Sequence, residues 1–162
     1  MSTETRRVHE TRFDILGSAG VNSKETLPLF AYGTLQLEPV LAALIGRLPE
    51  SAPDKLEGWR VARLPDRVYP GLVPDPGKSA LGRVLKGITP DEWMLLDRFE
   101  DNDYDLVPVI LASGTRAMVY AWTKAVDRMD WLPDEFAALE LTPYVERCTA
   151  WLQRDRAQQP ES

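Results

Sequence analysis

The 162-residue chain holds 44% apolar and 27% charged residues, a balance that fits one globular domain and excludes wholesale disorder or a fibrous repeat. Its 19 basic and 25 acidic residues leave a formal charge of −6, which repels polyanions and argues against a nucleic-acid partner. One cysteine and one histidine exclude an internal disulfide, the common zinc sites and catalytic devices built on a core imidazole, since His9 lies in the polar opening segment.

No run approaches the ~18 apolar residues of a membrane-spanning helix, and no signal-like stretch opens the chain, so the expectation is a cytoplasmic protein with no membrane association. Residues 1–26 are rich in Ser, Thr, Glu and Arg without sustained periodicity. They predict a flexible extension before a single domain over 27–156, with a polar tail at 157–162.

From Leu27 the run LPLFAY reads as a buried strand that Gly33 breaks. A helix follows from near Pro39, with Val40, Leu41, Leu44 and Ile45 inward and Gly46 as its stop. LEGWRVARL and SALGRVLKGI alternate as strands, the second with Leu81, Arg83 and Leu85 on one side and Val84 on the other. Between them, four prolines and two glycines fall within residues 65–78, which predicts a shaped loop. Thr89, Pro90 and Glu92 supply the N-cap, first-turn proline and capping-box acid of a helix running to about Glu100.

YDLVPVIL and RAMVYAW, joined through Ser113 and Gly114, predict an antiparallel hairpin in which Pro108 marks an edge or a bulge. Thr142 and Pro143 open a closing helix with Tyr144, Cys148, Trp151 and Leu152 on one stripe, after which RDRAQQPES is polar. Val145, Cys148 and Leu152 at helical spacing make Cys148 a buried thiol rather than a nucleophile. Strands and helices do not alternate strictly, so the expected class is α+β rather than a doubly wound parallel sheet.

With imidazole, thiol and metal removed, acid–base chemistry falls to carboxylates, Tyr, Lys or backbone. In TPDEWMLLDRFE the inner face is Trp93, Leu96 and Phe99, while Asp91, Asp97, Arg98 and Asp101 belong to solvent. Glu100 follows Trp93 by seven residues and Leu96 by four, so at about 100° per residue it points along the apolar stripe. Lost solvation, the helix C-terminus and the acids Asp101, Asp103 and Asp105 would each push its pKa up from about 4.3, toward proton transfer near neutrality. The alternative is a helix that frays before Glu100 and leaves it in water. The D-x-D-x-D spacing imitates a calcium loop, but Leu106 stands where Gly is needed and Ala112 where Glu is needed.

The turn Tyr32, Gly33, Thr34, Leu35 carries a strand into a helix. Such turns present backbone N–H groups that can hold a carboxylate or an oxyanion, and an ordinary strand-to-helix turn has the same residues. One glycine and no lysine make neither a P-loop nor a dinucleotide fingerprint.

The runs LFAYGTLQ, VYPGLVPDPGKSALGRVLKGI, LLDRFEDNDYDLVPVIL and AMVYAW, in order over roughly residues 29–122, resemble the gamma-glutamylcyclotransferase-like family. The resemblance implies a small mixed β-barrel with packed helices. It places the family's substrate-binding loop on Tyr32, Gly33, Thr34 and Leu35 and its catalytic glutamate on Glu100. It also implies a small-molecule γ-glutamyl substrate, 5-oxoproline as a product, and no metal or organic cofactor. Tyr120 is a candidate pocket hydroxyl or a core tyrosine, and Tyr69 in the YPG loop a candidate for the pocket rim or an ordinary loop residue. Many relatives have Gly directly after the glutamate and Arg two residues past the next tyrosine, where this chain has Asp101 and Leu106. Those departures leave a second reading open: a non-catalytic small-ligand binding or regulatory member of the same fold.

Overall fold

Residues 27–159 are described by the computed structural model; the expected extension over 1–26, with His9, lies outside them. The apolar run Leu29–Ala31 forms β1, a 3-10 turn follows at Thr34–Gln36, and α1 spans Glu38–Ile45. Gly46 ends α1 in the left-handed region at φ 74°, the position where glycine carries no Cβ penalty. Then come β2 (Glu50–Ala62), β3 (Gly71–Lys86), α2 (Pro90–Phe99), β4 (Tyr104–Ile110), β5 (Arg116–Trp122), α3 (Pro133–Leu139) and α4 (Leu141–Gln158).

The five strands form one sheet in the order β2-β3-β1-β5-β4. β1 lies at its centre, antiparallel to β3 (Phe30 opposite Val84) and parallel to β5 (Leu29 opposite Met118). The fold is therefore α+β with a mixed sheet, as expected. The expected barrel is loose, because the sheet is not closed: β2 and β4 remain its edges. They approach only beyond β4, where Ala112 N–H donates to the Lys55 carbonyl at 2.9 Å and Ser113 Oγ to Asp54 Oδ2 at 2.5 Å.

Curling lets the sheet bury both faces. Phe30, Leu56, Leu72, Val84, Leu111 and Val119 pack together on the concave side without a helix. On the other side Leu29, Leu85, Leu106 and Met118 meet Leu41, Leu44, Trp93, Leu96, Phe136 and Cys148 from the helices. Gly82 sits where β1 presses on β3: a Cβ there would stand 2.4 Å from the Ala31 carbonyl oxygen.

Three expectations change. Residues 71–78 are not loop but the first half of β3. Only Arg83, Val84 and Leu85 pair with β1, so in this half β3 has β2 alone beside it, and Pro74 and Pro76 are tolerated as on an edge strand. Leu81 lies on the same side as Arg83 and Leu85, as the alternation predicts, but it is 69% exposed, beyond the reach of the helices. The closing helix continues to Gln158, past the expected boundary at 156, because Asp155 is buried against Arg98, which grips it with Nε and Nη2 at 3.0 Å each. Helix α3 had no counterpart in the sequence reading, although Pro133 at its start with Asp134 and Glu135 in the first turn is a start signal.

The predicted capping box is present: Thr89 Oγ1 accepts from Glu92 N–H at 3.2 Å, and Glu92 Oε1 accepts from Thr89 N–H at 3.0 Å. The helix ends where Glu100 turns extended, at φ −67° and ψ 142°, and that residue carries the site.

Candidate active site

A cavity of about 320 Å³ opens between the centre of the sheet and helices α2 and α4. Its walls include Tyr32, Gly33, Thr34, Leu35, Tyr69, Glu100 and Tyr120, the residues that the sequence offers as candidates for catalysis and substrate binding. It also includes Tyr104 and Tyr144, so all five tyrosines of the chain line it.

Glu100 is the C-cap of α2. Its N–H donates to the Leu96 carbonyl at 3.0 Å, so the helix does not fray before it, and the half-buried side chain faces the cavity. Burial raises the phenols of Tyr32, Tyr104 and Tyr144 well above their ordinary range, and the negative charge of Glu100 adds to the rise in each. These hydroxyls stay protonated beside the carboxylate.

The turn at residues 32–35 is held from several sides. Tyr32 donates its hydroxyl to the Tyr120 carbonyl, Gln36 Nε2 donates back to the Tyr32 carbonyl at 2.7 Å, and Thr34 Oγ1 donates to the Tyr144 hydroxyl at 3.3 Å. The N–H groups that open a helical turn have no intrahelical partner, so a turn fixed like this presents donors in a defined direction. Pro70 covers Gly33, and Tyr104 donates its hydroxyl to the Pro70 carbonyl.

Two acids lie differently from expectation. Asp97, expected in solvent, is 5% exposed and accepts from the Tyr120 hydroxyl at 3.1 Å. Tyr120 therefore offers its ring to the cavity wall while its hydroxyl is turned to Asp97. Asp101, also expected in solvent, accepts at Oδ2 from the Tyr69 hydroxyl at 2.6 Å and from Arg67 Nε at 3.3 Å, and at Oδ1 from Asp103 N–H at 2.9 Å. Burial pushes the Asp101 carboxyl up, but those bonds and the Arg67 charge outweigh it and hold the pKa below the ordinary value. Tyr69 is pushed up to about 12, by burial first and then by Asp101.

Sequence reasoning did not find Tyr104, Tyr144, Arg147 and Arg154 as lining residues. Tyr104 and Tyr144 carried a signal as aromatic positions on an inward stripe, but which inward residues meet around a void depends on how the sheet and α4 pack. Cys148 is buried, as its spacing predicted, and burial pushes its thiol up to about 11, against Arg147 and with Glu100. Among the described residues no group of three or more His, Cys, Asp or Glu is arranged to hold a metal ion, and no helix is long and apolar enough to cross a membrane.

Residues 29–136 match the family model described as gamma-glutamyl cyclotransferase, AIG2-like. AIG2-like protein C of Arabidopsis thaliana is 38% identical over 112 residues, covering 66% of this chain and 65% of that protein. AIG2-like protein D of the same plant is 34% identical over 105 residues, covering 61% of this chain and 69% of that protein. The match with protein C thus spans just under two thirds of that relative's length. Among solved structures, a solution structure of an Arabidopsis thaliana protein superimposes with a TM-score of 0.58 at 27% identity, covering 83% of this chain and 95% of that one. A second solution structure from the same plant gives 0.57 at 26% identity, with 82% and 85% covered.

Proposed function

Because the chain belongs to the gamma-glutamyl cyclotransferase, AIG2-like family, we propose that it cyclises a γ-glutamyl amide or amine to 5-oxoproline and releases a free amine. The observation that supports this reading is the position of Glu100: a carboxylate at a helix end, lining the same cavity as the turn at residues 33–35.

The reaction is intramolecular. Glu100 takes a proton from the substrate's α-ammonium, and the freed amine attacks its own γ-carbonyl carbon, forming the ring C–N bond and placing negative charge on the carbonyl oxygen. Glu100 then gives this proton to the leaving nitrogen and takes the second proton of the ring nitrogen; the original amide C–N bond breaks, and the amine departs with that second proton as an ammonium. One carboxylate serves all of these transfers, so the proton balance closes without a metal or an organic cofactor. Backbone N–H groups of Gly33, Thr34 and Leu35 hold the α-carboxylate or the oxyanion. Tyr32 and Tyr120 wall the glutamyl group, and Tyr69 with Asp101 forms the rim. Holding amine and carbonyl in one chain at attack distance supplies much of the rate, since the cavity has only to select the folded conformer. The partner is thus a small γ-glutamyl molecule, and the setting we assign is the cytoplasm.

The test incubates the full chain with γ-glutamyl amino acids, γ-glutamylamines and glutathione and follows 5-oxoproline by mass spectrometry. At least one should be turned over, and Glu100→Gln should abolish turnover while keeping the circular-dichroism spectrum. Unchanged 5-oxoproline release by Glu100→Gln overturns the assignment. If no compound is turned over and one raises Tm, the site is a binding pocket, the reading that Leu106 in place of an arginine favours.

A further inference from the structure

Helix α4 turns one face to the cavity: Tyr144, Arg147, Cys148, Trp151 and Arg154 follow one another at helical spacing and all line it. Two of these are guanidiniums on a chain whose net charge is −6. Both are exposed, and neither makes an ion pair among the described residues. Arg147 lies 5.8 Å over the Tyr144 ring, and Trp151 is fixed edge-on against Phe99, the neighbour of Glu100, at 5.1 Å. The cationic face is thereby tied to the end of α2. Arg147 and Glu100 act on the same two groups, Tyr144 and Cys148, with opposite sign.

The reading of the site as a cyclotransferase already has a partner for each charge of the γ-glutamyl head: the Glu100 carboxylate accepts from the ammonium, and the N–H groups of the turn at residues 33–35 donate to the α-carboxylate. The two arginines remain. Guanidiniums that line a cavity with no ion pair among the described residues favour a carboxylate and repel an amine-bearing group, because planar forked donors match a carboxylate bidentately. They lie on the closing helix, beyond residue 136, where the family match ends.

We infer that Arg147 and Arg154 read a second carboxylate, on the leaving group, so that the preferred substrate is a γ-glutamyl amino acid or peptide rather than a γ-glutamylamine. This rests on the cyclotransferase reading for the placement of the glutamyl head. Trp151 between the two arginines supplies the apolar wall for the leaving group's side chain.

The test compares γ-glutamyl-L-alanine with γ-glutamylethylamide, which differ by the one carboxylate. The dipeptide should be favoured roughly tenfold or more in kcat/KM, and the double variant Arg147→Gln/Arg154→Gln should lose that factor on the dipeptide while handling the ethylamide as before. Equal turnover of the two compounds, or an equal loss on both in the double variant, overturns the inference and leaves the cyclotransferase reading standing. Calorimetric binding to Glu100→Gln needs no turnover. Tighter binding of the dipeptide, lost on adding the two Arg→Gln changes, upholds the carboxylate site even if the reaction is absent; equal binding, or none, overturns it.

Discussion

Gly33 and Pro70 meet across the mouth of the cavity: a Cβ on Gly33 would stand 2.8 Å from Pro70 Cγ and 3.2 Å from Pro70 Cδ. Pro70 is a buried ring whose carbonyl accepts from Tyr104, so it has no flexible end to swing aside. Gly33→Ala should therefore push the YPG loop outward and destabilise the fold by about 1–3 kcal/mol, the usual penalty for overpacking. Calorimetry should show Tm several degrees lower, and activity should fall further than stability, because the displaced turn is the one that presents N–H donors.

Asp101 and Tyr69 each shift the other's pKa. The Asp101 carboxyl lies below its ordinary pKa, so its contribution to stability is present above the unfolded value of about 3.9 and is lost as pH falls through the lower folded value. Asp101→Asn should be less stable than the parent at pH 7, with the gap closing in acid, as urea denaturation at the two pH values would show. The same substitution should bring the Tyr69 phenol from about 12 back toward its ordinary value. An ultraviolet titration that finds no change in Tyr69 would remove Asp101 as the cause.

Asp155 is 9% exposed in its side chain and Arg98 37%, so the bidentate pair is half-shielded and its removal leaves a partly solvated guanidinium rather than a fully buried charge. Asp155→Ala should cost about 1–2 kcal/mol and lower Tm by a few degrees. Because the pair anchors the last turns of α4, the variant should also loosen Trp151 against Phe99, which tryptophan fluorescence would register as a red shift.

Cys148 is fully buried and its thiol is pushed up to about 11. It should resist alkylation by iodoacetamide at pH 7.5 in the native protein and react at once in urea. Prompt modification of the native chain would mean that the reagent reaches the thiol through the cavity or that α4 opens on the timescale of the reaction.

What the sequence determined by itself is what depends on neighbours within a few residues. The capping box at Thr89 and Glu92, the stop at Gly46, the turn at Ser113 and Gly114, and the inward aim of Glu100 all follow from helical periodicity and local hydrogen bonding. Tertiary structure decided what depends on which distant segments meet. Prolines at 74 and 76 mark a loop by local rules, yet they lie in β3 because only its second half has β1 beside it. Asp97 counts as a solvent residue by its charge, yet it is buried because Tyr120 arrives from β5 to donate to it. Placing β1 between β3 and β5 brings the turn at residues 32–35 to the cavity that Glu100 lines, and packing α4 over that junction adds Tyr144, Arg147 and Arg154. The two arginines show the difference most clearly: along the chain they are two more charges on a polar helix face, and only the packing of that face over the cavity gives them a chemical role.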